Sequence, residues 1–180
     1  MLKITVPAAE FWDEIHEEFI YKKEQTLQLE HSLVSLSKWE SKWNKAFLGK
    51  QEKTDKEILD YIRCMTLTQN IDPEVYTRLS SENYAAINAY IEAPMTATCL
   101  IEDKQARGHK ETVTSELIYY WMISYNIPVE FQKWHLNRLL TLIRVCNVKN
   151  SPPKRRSKRE MWNRNAAINA ANRKRFGSKG

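Results

Sequence analysis

Residues whose chemistry could support catalysis or metal binding are few in this chain and lie far apart. His31 and His135 are the histidines closest to apolar positions, and neither belongs to an HxxxH or HExxH pattern or to a His-Cys cluster. Glu17 and Glu18 are adjacent carboxylates in a polar stretch that contains nothing to perturb them. We therefore predict that both histidines are hydrogen-bonded structural residues and that the chain binds no metal.

The motifs that bind phosphates or present a catalytic serine are also missing. The 180 residues include four glycines and contain no GxGxxG, no GKS or GKT phosphate loop and no GxSxG. A loop that wraps a phosphate with backbone N–H groups needs more glycine than this. The sequence predicts a protein that is not an enzyme and uses no cofactor.

The cysteines and the N-terminus indicate the compartment. Cys64, Cys99 and Cys146 are odd in number and lie in separate apolar contexts without CxxC spacing, which favours reduced, buried thiols in a cytoplasmic setting. The first residues lack the pattern of a secretory signal, and no run approaches the length of a membrane span. We expect no membrane association.

Aromatic residues are the first feature that points to a function. The chain has six tryptophans and eight tyrosines, and several lie on predicted helices. Three successive aromatics on one helix point in three directions, so they cannot all face one core. Core packing explains many of these side chains, but aromatics are also enriched where one protein binds another. The candidates for a partner-binding surface are Trp39, Trp43, Tyr119, Tyr120, Trp121 and Trp134.

Charge is the second feature. Residues 149–180 contain eleven Lys or Arg and one acid, Glu160, a net charge of +10, whereas the whole chain carries +6 and the preceding residues therefore −4. Such a tail can be a solvated terminus, a non-specific contact for nucleic acid phosphates or a contact for an acidic protein surface. The candidate contact residues are Lys154, Arg155, Arg156, Lys158, Arg159, Arg164, Arg173, Lys174 and Arg175.

The elements that position these residues are predicted to be mainly α. We expect a compact helical body at residues 1–150 with short N-terminal strands, and a basic C-terminal tail at 151–180 that is partly disordered or helical on docking and follows a hinge at Pro152-Pro153. Alternation predicts strands at residues 2–6 and 21–30. The spacing of Phe11, Ile15 and Phe19 favours a helix between them, with a loop that has strand ends as the alternative.

Helix signals follow in order from Ser32. A helix begins at Ser32 or at Ser37, where Ser37 and Glu40 have capping-box spacing, and ends at Gly49. Further helices are predicted at 55–65, 73–79 and from Ser80 or Ser81 to before Pro94, and a β-hairpin or extended loop at 96–113. Two core helices are expected within 116–147, and the first is so apolar that other elements or a partner chain must enclose it. A last helix runs from a capping box at Ser157 to about Lys174.

The arrangement of these segments resembles a known family. The run LEHSLVSLSKWESKW at 29–43, the YYWM and WHLNRLLTLIR elements at 119–122 and 134–144, and the NRNAA stretch in a tail ending GSKG are similar to small morphogenesis proteins of long-tailed bacteriophages. Among them the chain most resembles the tail assembly chaperones. The resemblance implies a mostly helical protein of the host cytoplasm that binds the aggregation-prone tape measure protein while tail tube subunits polymerise around it.

Two alternatives remain open at this level. One is a structural virion protein at the head-tail junction or baseplate, whose basic tail contacts neighbouring subunits or DNA. The other is a non-specific nucleic-acid-binding protein. A homo-oligomer is compatible with all three readings.

Overall fold

Two antiparallel pairs of strands and a larger set of helices make up the fold in the computed structural model, which describes residues 1–14, 16–98, 112–151 and 158–177. The protein thus belongs to the mixed α+β class, and the prediction of a mainly α fold is wrong. The strands were underestimated because the first strand of the chain pairs with the fourth, and a whole hairpin lies between them in the sequence. Local periodicity does not report such pairing.

The first sheet joins strands β1 (Leu2–Val6) and β4 (Gln25–Leu29), with Leu2 opposite Leu29 and Val6 opposite Gln25. The predicted strand at 2–6 is confirmed. Ile4, Val6, Leu27 and Leu29 are buried on one face, as alternation requires when a sheet covers a core.

Between these strands lies a hairpin of β2 (Ala9–Asp13) and β3 (Glu18–Lys22). The predicted helix over this region is wrong, and the predicted strand at 21–30 is divided between β3 and β4. A spacing of four residues between Phe11, Ile15 and Phe19 suits a helix, but the flanking aromatic and β-branched residues are also strong strand formers. The turn near Glu17, whose φ is 52°, reverses the chain.

The helices occupy most of the remaining described chain. They are α1 (Leu33–Trp43), α2 (Asp55–Met65), a 3₁₀ helix at Pro73–Arg78, α3 (Ser81–Glu92), α4 (Ser115–Ser124), a 3₁₀ helix at Val129–Lys133, α5 (Leu136–Asn150) and α6 (Lys158–Phe176). The predicted helix at 55–65 is confirmed, and so is the short helix that follows Asp72.

Of the two predicted starts of helix α1, Ser32 is confirmed and Ser37 is wrong. Ser32 is its N-cap, and its hydroxyl accepts a hydrogen bond from the backbone N–H of Ser35 at 3.3 Å. The helix ends at Asn44, which adopts the left-handed conformation with φ 51°, and not at Gly49. The predicted capping pair Ser37 and Glu40 lies inside the helix, where the intrahelical ladder already satisfies the backbone.

Two hydrophobic clusters form the core of the body, and α1 contributes to both. One cluster packs β1 and β4 against α1, α2, α3 and the 3₁₀ helix at Pro73–Arg78, with Trp39, Met65 and Val75 buried. The other packs α1 against α4 and α5, with Leu36, Ile118 and Leu139 buried.

The two predicted core helices differ from expectation in two ways. Only one side of α4 is enclosed, since Ile118 and Met122 are buried whereas Tyr120 and Ile123 are exposed. The second predicted helix is split, because the extended backbone of Trp134, with ψ 161°, separates the 3₁₀ helix at Val129–Lys133 from α5.

Residues 1–147 and 148–180 form two compact units. In the second unit, every described side chain of α6 is exposed and none belongs to either core cluster. The predicted hairpin at 96–113 falls mostly outside the described residues, as do the Pro152-Pro153 hinge and Ser157. Across the described ranges, no helix is long and apolar enough to cross a membrane.

Candidate functional site

The two histidines lie together in the interior. His31 and His135 have ring centroids 5.2 Å apart, and His31 Nδ1 lies 2.5 Å from the Tyr61 hydroxyl. His135 Nδ1 accepts from the Asn137 backbone N–H at 3.3 Å, so Nε2 carries the proton and donates to the Tyr90 carbonyl at 2.9 Å. Both are buried and hydrogen-bonded, as the sequence predicts.

Burial fixes the protonation of this cluster. Desolvation, followed by the neighbouring His135, lowers the pKa of His31 to about 4. Burial likewise lowers the pKa of His135 and raises that of the Tyr61 phenol. All three groups are neutral near pH 7 and closed to solvent, and they therefore offer no site for a substrate. Their contacts link the N-terminal ends of α1 and α5.

The tryptophans of α1 pack against α2. Trp39 is 1% exposed and its indole N–H donates to the Glu57 carbonyl at 2.8 Å. Trp43 is half-buried and donates to Asp60 Oδ2 at 2.9 Å. Trp39 therefore belongs to the core and not to a binding surface, because a side chain this deeply buried cannot reach a partner.

The aromatics of α4 point in three directions. The half-buried Tyr119 donates its hydroxyl to Gln132 Oε1 at 2.9 Å. Tyr120 is 62% exposed, whereas Trp121 lines a groove beside Leu117 and Tyr125. The candidate aromatics are thus dispersed, and only Trp121 joins other apolar side chains in a concave site.

Trp134 lies near the start of α5. Its ring stacks on Phe131 with centroids 4.0 Å apart and an interplanar angle of 14°, and the Arg138 guanidinium lies 4.0 Å from the ring centroid. Since both faces of this half-buried ring have neighbours, Trp134 has little surface left for a partner.

A large groove lies between the loop that follows α1 and the helices α4 and α5. It has a volume of about 1240 Å³, and the loop between α1 and α2 forms one wall while α4 and α5 form the others. Leu117, Trp121 and Tyr125 recur every four residues and so share one face of α4. Leu140 and Ile143 of α5 complete an apolar floor.

The rim of the groove is basic. Lys45, Lys50 and Arg144 line it, and none of the described residues that form it is acidic. Lys45 also pairs with Glu57 Oε1 at 2.5 Å, so that its charge is partly satisfied. We refer to this site, with its apolar floor and basic rim, as the α4–α5 groove.

Glu40 shapes the α4–α5 groove from beneath. Its carboxylate accepts the backbone N–H of Phe47 at 2.8 Å and that of Ser115 at 2.7 Å. The first bond holds the loop between α1 and α2, and the second holds the start of α4. One buried side chain thus fixes two walls.

The basic candidates of the tail are placed only in part. Lys154, Arg155 and Arg156 lie outside the described residues. The side chains of Arg159, Arg164, Arg173 and Arg175 are exposed on α6, whereas Lys158 and Lys174 are described by their backbone alone. The described positions do not bring these basic side chains together into a defined phosphate site.

Sequence reasoning missed one group of exposed aromatic residues. Phe11, Trp12, Phe19 and Tyr21 lie on the β2–β3 hairpin and are largely solvent-exposed. Their strand propensity was the available signal, but the four-residue spacing of Phe11, Ile15 and Phe19 was interpreted as a helical stripe.

The thiols and potential metal ligands show no assembled site. Cys64 and Cys146 are free and half-buried, and burial raises the pKa of the Cys64 thiol. Cys99 lies outside the described residues. Within the described ranges, no three His, Cys, Asp or Glu side chains are grouped to hold a metal ion.

Comparisons with protein-family models, with curated proteins and with solved structures give no match to this chain.

Proposed function

We propose that the protein is a non-enzymatic assembly chaperone that binds an amphipathic helix of a phage tape measure protein in the α4–α5 groove and helps to recruit tail tube subunits. The observation that carries the proposal is the groove itself, with an apolar floor of Leu117, Trp121 and Leu140 and a basic rim. At about 1240 Å³ it is larger than most small-molecule sites and suits a chain segment.

Helix-in-groove binding explains why such a site would prevent aggregation. An amphipathic helix places apolar side chains at i, i+3, i+4 and i+7, and each large side chain that it buries contributes about 2 kcal/mol. Lys50 at the rim favours a helix whose apolar stripe is flanked by acids. Recognition of this kind reads a pattern of side chains and tolerates many sequences, as a chaperone for a long helical protein requires.

The test is co-expression of the full chain with the tape measure protein of the same phage. The soluble fraction of the tape measure protein and the affinity between the two proteins are then measured. Trp121→Ala should weaken binding by about 2 kcal/mol, the size of an interface hot spot. Tyr120→Ala is the matched control, since Tyr120 directly precedes Trp121 on α4 and does not line the groove. Equal affinity of the two variants would remove the groove from the proposal.

A rim variant separates binding from folding. Lys50→Glu changes an exposed side chain and leaves both cores intact, so any loss of affinity reports the charge of the groove. We expect weaker binding that depends less on salt than that of the wild type.

The second candidate, a structural virion protein, is favoured by the exposed arginines of α6, which would suit a permanent contact with neighbouring subunits or DNA. Mass spectrometry of assembling lysate and of mature particles distinguishes the two. A chaperone is captured with tape measure protein and is absent from particles, whereas a structural protein remains at fixed copy number.

A further inference from the structure

The β2–β3 hairpin carries aromatic side chains that the body leaves uncovered. Trp12 lies opposite Phe19 in the register, and Tyr21 lies two residues further along β3. Alternation therefore places these three side chains on one side of the hairpin, which we call the aromatic face. They are 52%, 71% and 60% exposed, and the rings of Trp12 and Phe19 meet edge to face with centroids 4.9 Å apart.

The other side of the hairpin is anchored to the body. Lys22 Nζ lies 2.9 Å from Asp72 Oδ2 and 2.9 Å from Glu74 Oε2, and these partners raise the pKa of Lys22. Phe11 and Ile20 share this side and line a cleft of about 580 Å³ with Glu74, and Trp12 also lines this cleft. Phe19 and Tyr21 remain turned to solvent and about half of Trp12 stays exposed, and exposed apolar patches of this kind mark interaction sites.

Charge decides which partner the aromatic face accepts. Residues 9–22 contain five acids and one lysine, a net charge of −4 that equals the net charge of residues 1–148. Glu10 lies on the same side as Trp12, and Glu14 and Glu17 are exposed in the turn. Like charges oppose the pairing of two hairpins, whereas aromatic rings beside carboxylates attract guanidinium groups through their π faces and by ion pairing.

The chain itself contains a segment with the complementary chemistry. Residues 148–180 carry a net charge of +10, and α6 exposes Arg159 and Arg164 together with Trp162, which is 79% exposed. Met161 and Ile168 are seven residues apart and thus lie on one side of the helix. A helix with exposed apolar and cationic side chains gains stability by docking on an acidic aromatic surface.

We infer that the aromatic face binds α6 of a second copy of this chain. The contact is heterologous, because a hairpin on one copy meets a helix on another, and it leaves one unused surface of each kind on the pair. Such contacts close into a ring or extend as an open chain, and association grows with protein concentration. This self-association is separate from the α4–α5 groove and does not rest on what the groove binds.

The experiment is sedimentation velocity of the full chain over a wide range of concentration, at low and at high salt, with two charge-reversal variants. The hairpin variant is Glu10→Lys with Glu17→Lys, and the tail variant is Arg159→Glu with Arg164→Glu. We expect the wild type to exceed the 21.3 kDa monomer mass as concentration rises at low salt, and to dissociate at high salt. Each variant alone should remain monomeric.

Mixing and combining the variants tests the pairing directly. A mixture of the hairpin and tail variants should associate, because the tail of the first and the hairpin of the second retain the native charges. A chain with all four substitutions should also self-associate. A monomeric wild type at every concentration overturns the inference, and so does a hairpin variant that associates as the wild type does. If the hairpin instead bound α6 of its own chain, the wild type would be monomeric at every concentration.

Discussion

At the scale of single residues, Glu40 is the side chain on which the α4–α5 groove depends. Its two carboxylate oxygens accept backbone N–H groups from separate segments, at Phe47 and at Ser115. These donors lie in partly or fully buried surroundings, where a polar group without a partner costs about 1–3 kcal/mol.

We predict that Glu40→Ala lowers the free energy of unfolding by about 3 kcal/mol, because two backbone donors lose their acceptor. Glu40→Gln should give an intermediate loss, since the amide keeps one acceptor oxygen and places an NH₂ group against the second donor. Urea unfolding followed by tryptophan fluorescence measures both. The exposed Glu52→Ala is the control, and a Glu40→Ala protein as stable as that control would contradict the assigned role.

His31 makes stability depend on pH. Its pKa is about 4 in the folded protein and about 6.5 in the unfolded chain, so the unfolded chain binds the extra proton between these values. The stability that depends on neutral His31 is therefore fully present above pH 6.5 and is lost progressively as the pH falls toward 4. The loss from this residue amounts to about 3 kcal/mol.

We predict that His31→Gln reduces this decline in the free energy of unfolding between pH 6.5 and 4, although the variant is less stable at pH 7. If the free energy of unfolding falls equally with pH in the wild type and in His31→Gln, a group other than His31 causes the decline.

At the scale of elements, the N-terminus of α1 shows how sequence signals compete. Ser37 and Glu40 have the spacing of a capping box, but Ser32 caps the helix and Glu40 serves the tertiary contacts described above. Capping-box spacing recurs by chance within helices, and only the position where the backbone becomes extended identifies the real cap.

We predict that Ser32→Ala lowers the free energy of unfolding by about 1 kcal/mol, because the Ser35 N–H loses its acceptor. Ser37→Ala should change it by less than about 0.5 kcal/mol, since alanine is favourable within a helix. Thermal or urea unfolding of the pair decides which serine is the cap, and equal losses would contradict the assignment.

Helix boundaries were largely predictable because caps and breakers are local signals. Thr54 and Asp72 were each identified from their own residue types, and the structure places them as predicted. The hairpin was not predictable in the same way, since it has apolar residues on both sides and thus no alternation. Its position depends on the distant pair Lys22 and Asp72.

The candidate site was predictable only in composition. The excess of aromatics was evident, but Trp39 and Trp121 could not be assigned to core or groove without the packing of α1 and α4. Burial is a property of pairs of elements, whereas the sequence reports one element at a time.

At the scale of the whole molecule, the body should fold without its basic unit, because both core clusters consist of residues that precede 148. We predict that a chain ending at Asn150 keeps the wild-type melting temperature and the far-UV circular dichroism spectrum of a folded protein. Circular dichroism with thermal unfolding measures both. A large drop in melting temperature would show that residues 151–180 stabilise the body.

Helix α1 supplies Leu33 and Leu36 to one core cluster and Trp39 to the other. We therefore expect the body to unfold as one cooperative unit, so that a ligand filling the α4–α5 groove raises its free energy of unfolding by an amount set by the ligand concentration relative to the dissociation constant. Cellular proteases degrade the unfolded fraction, so copies engaged with a partner would outlive idle ones. Through one shared helix, occupancy of the groove would set the turnover of the protein.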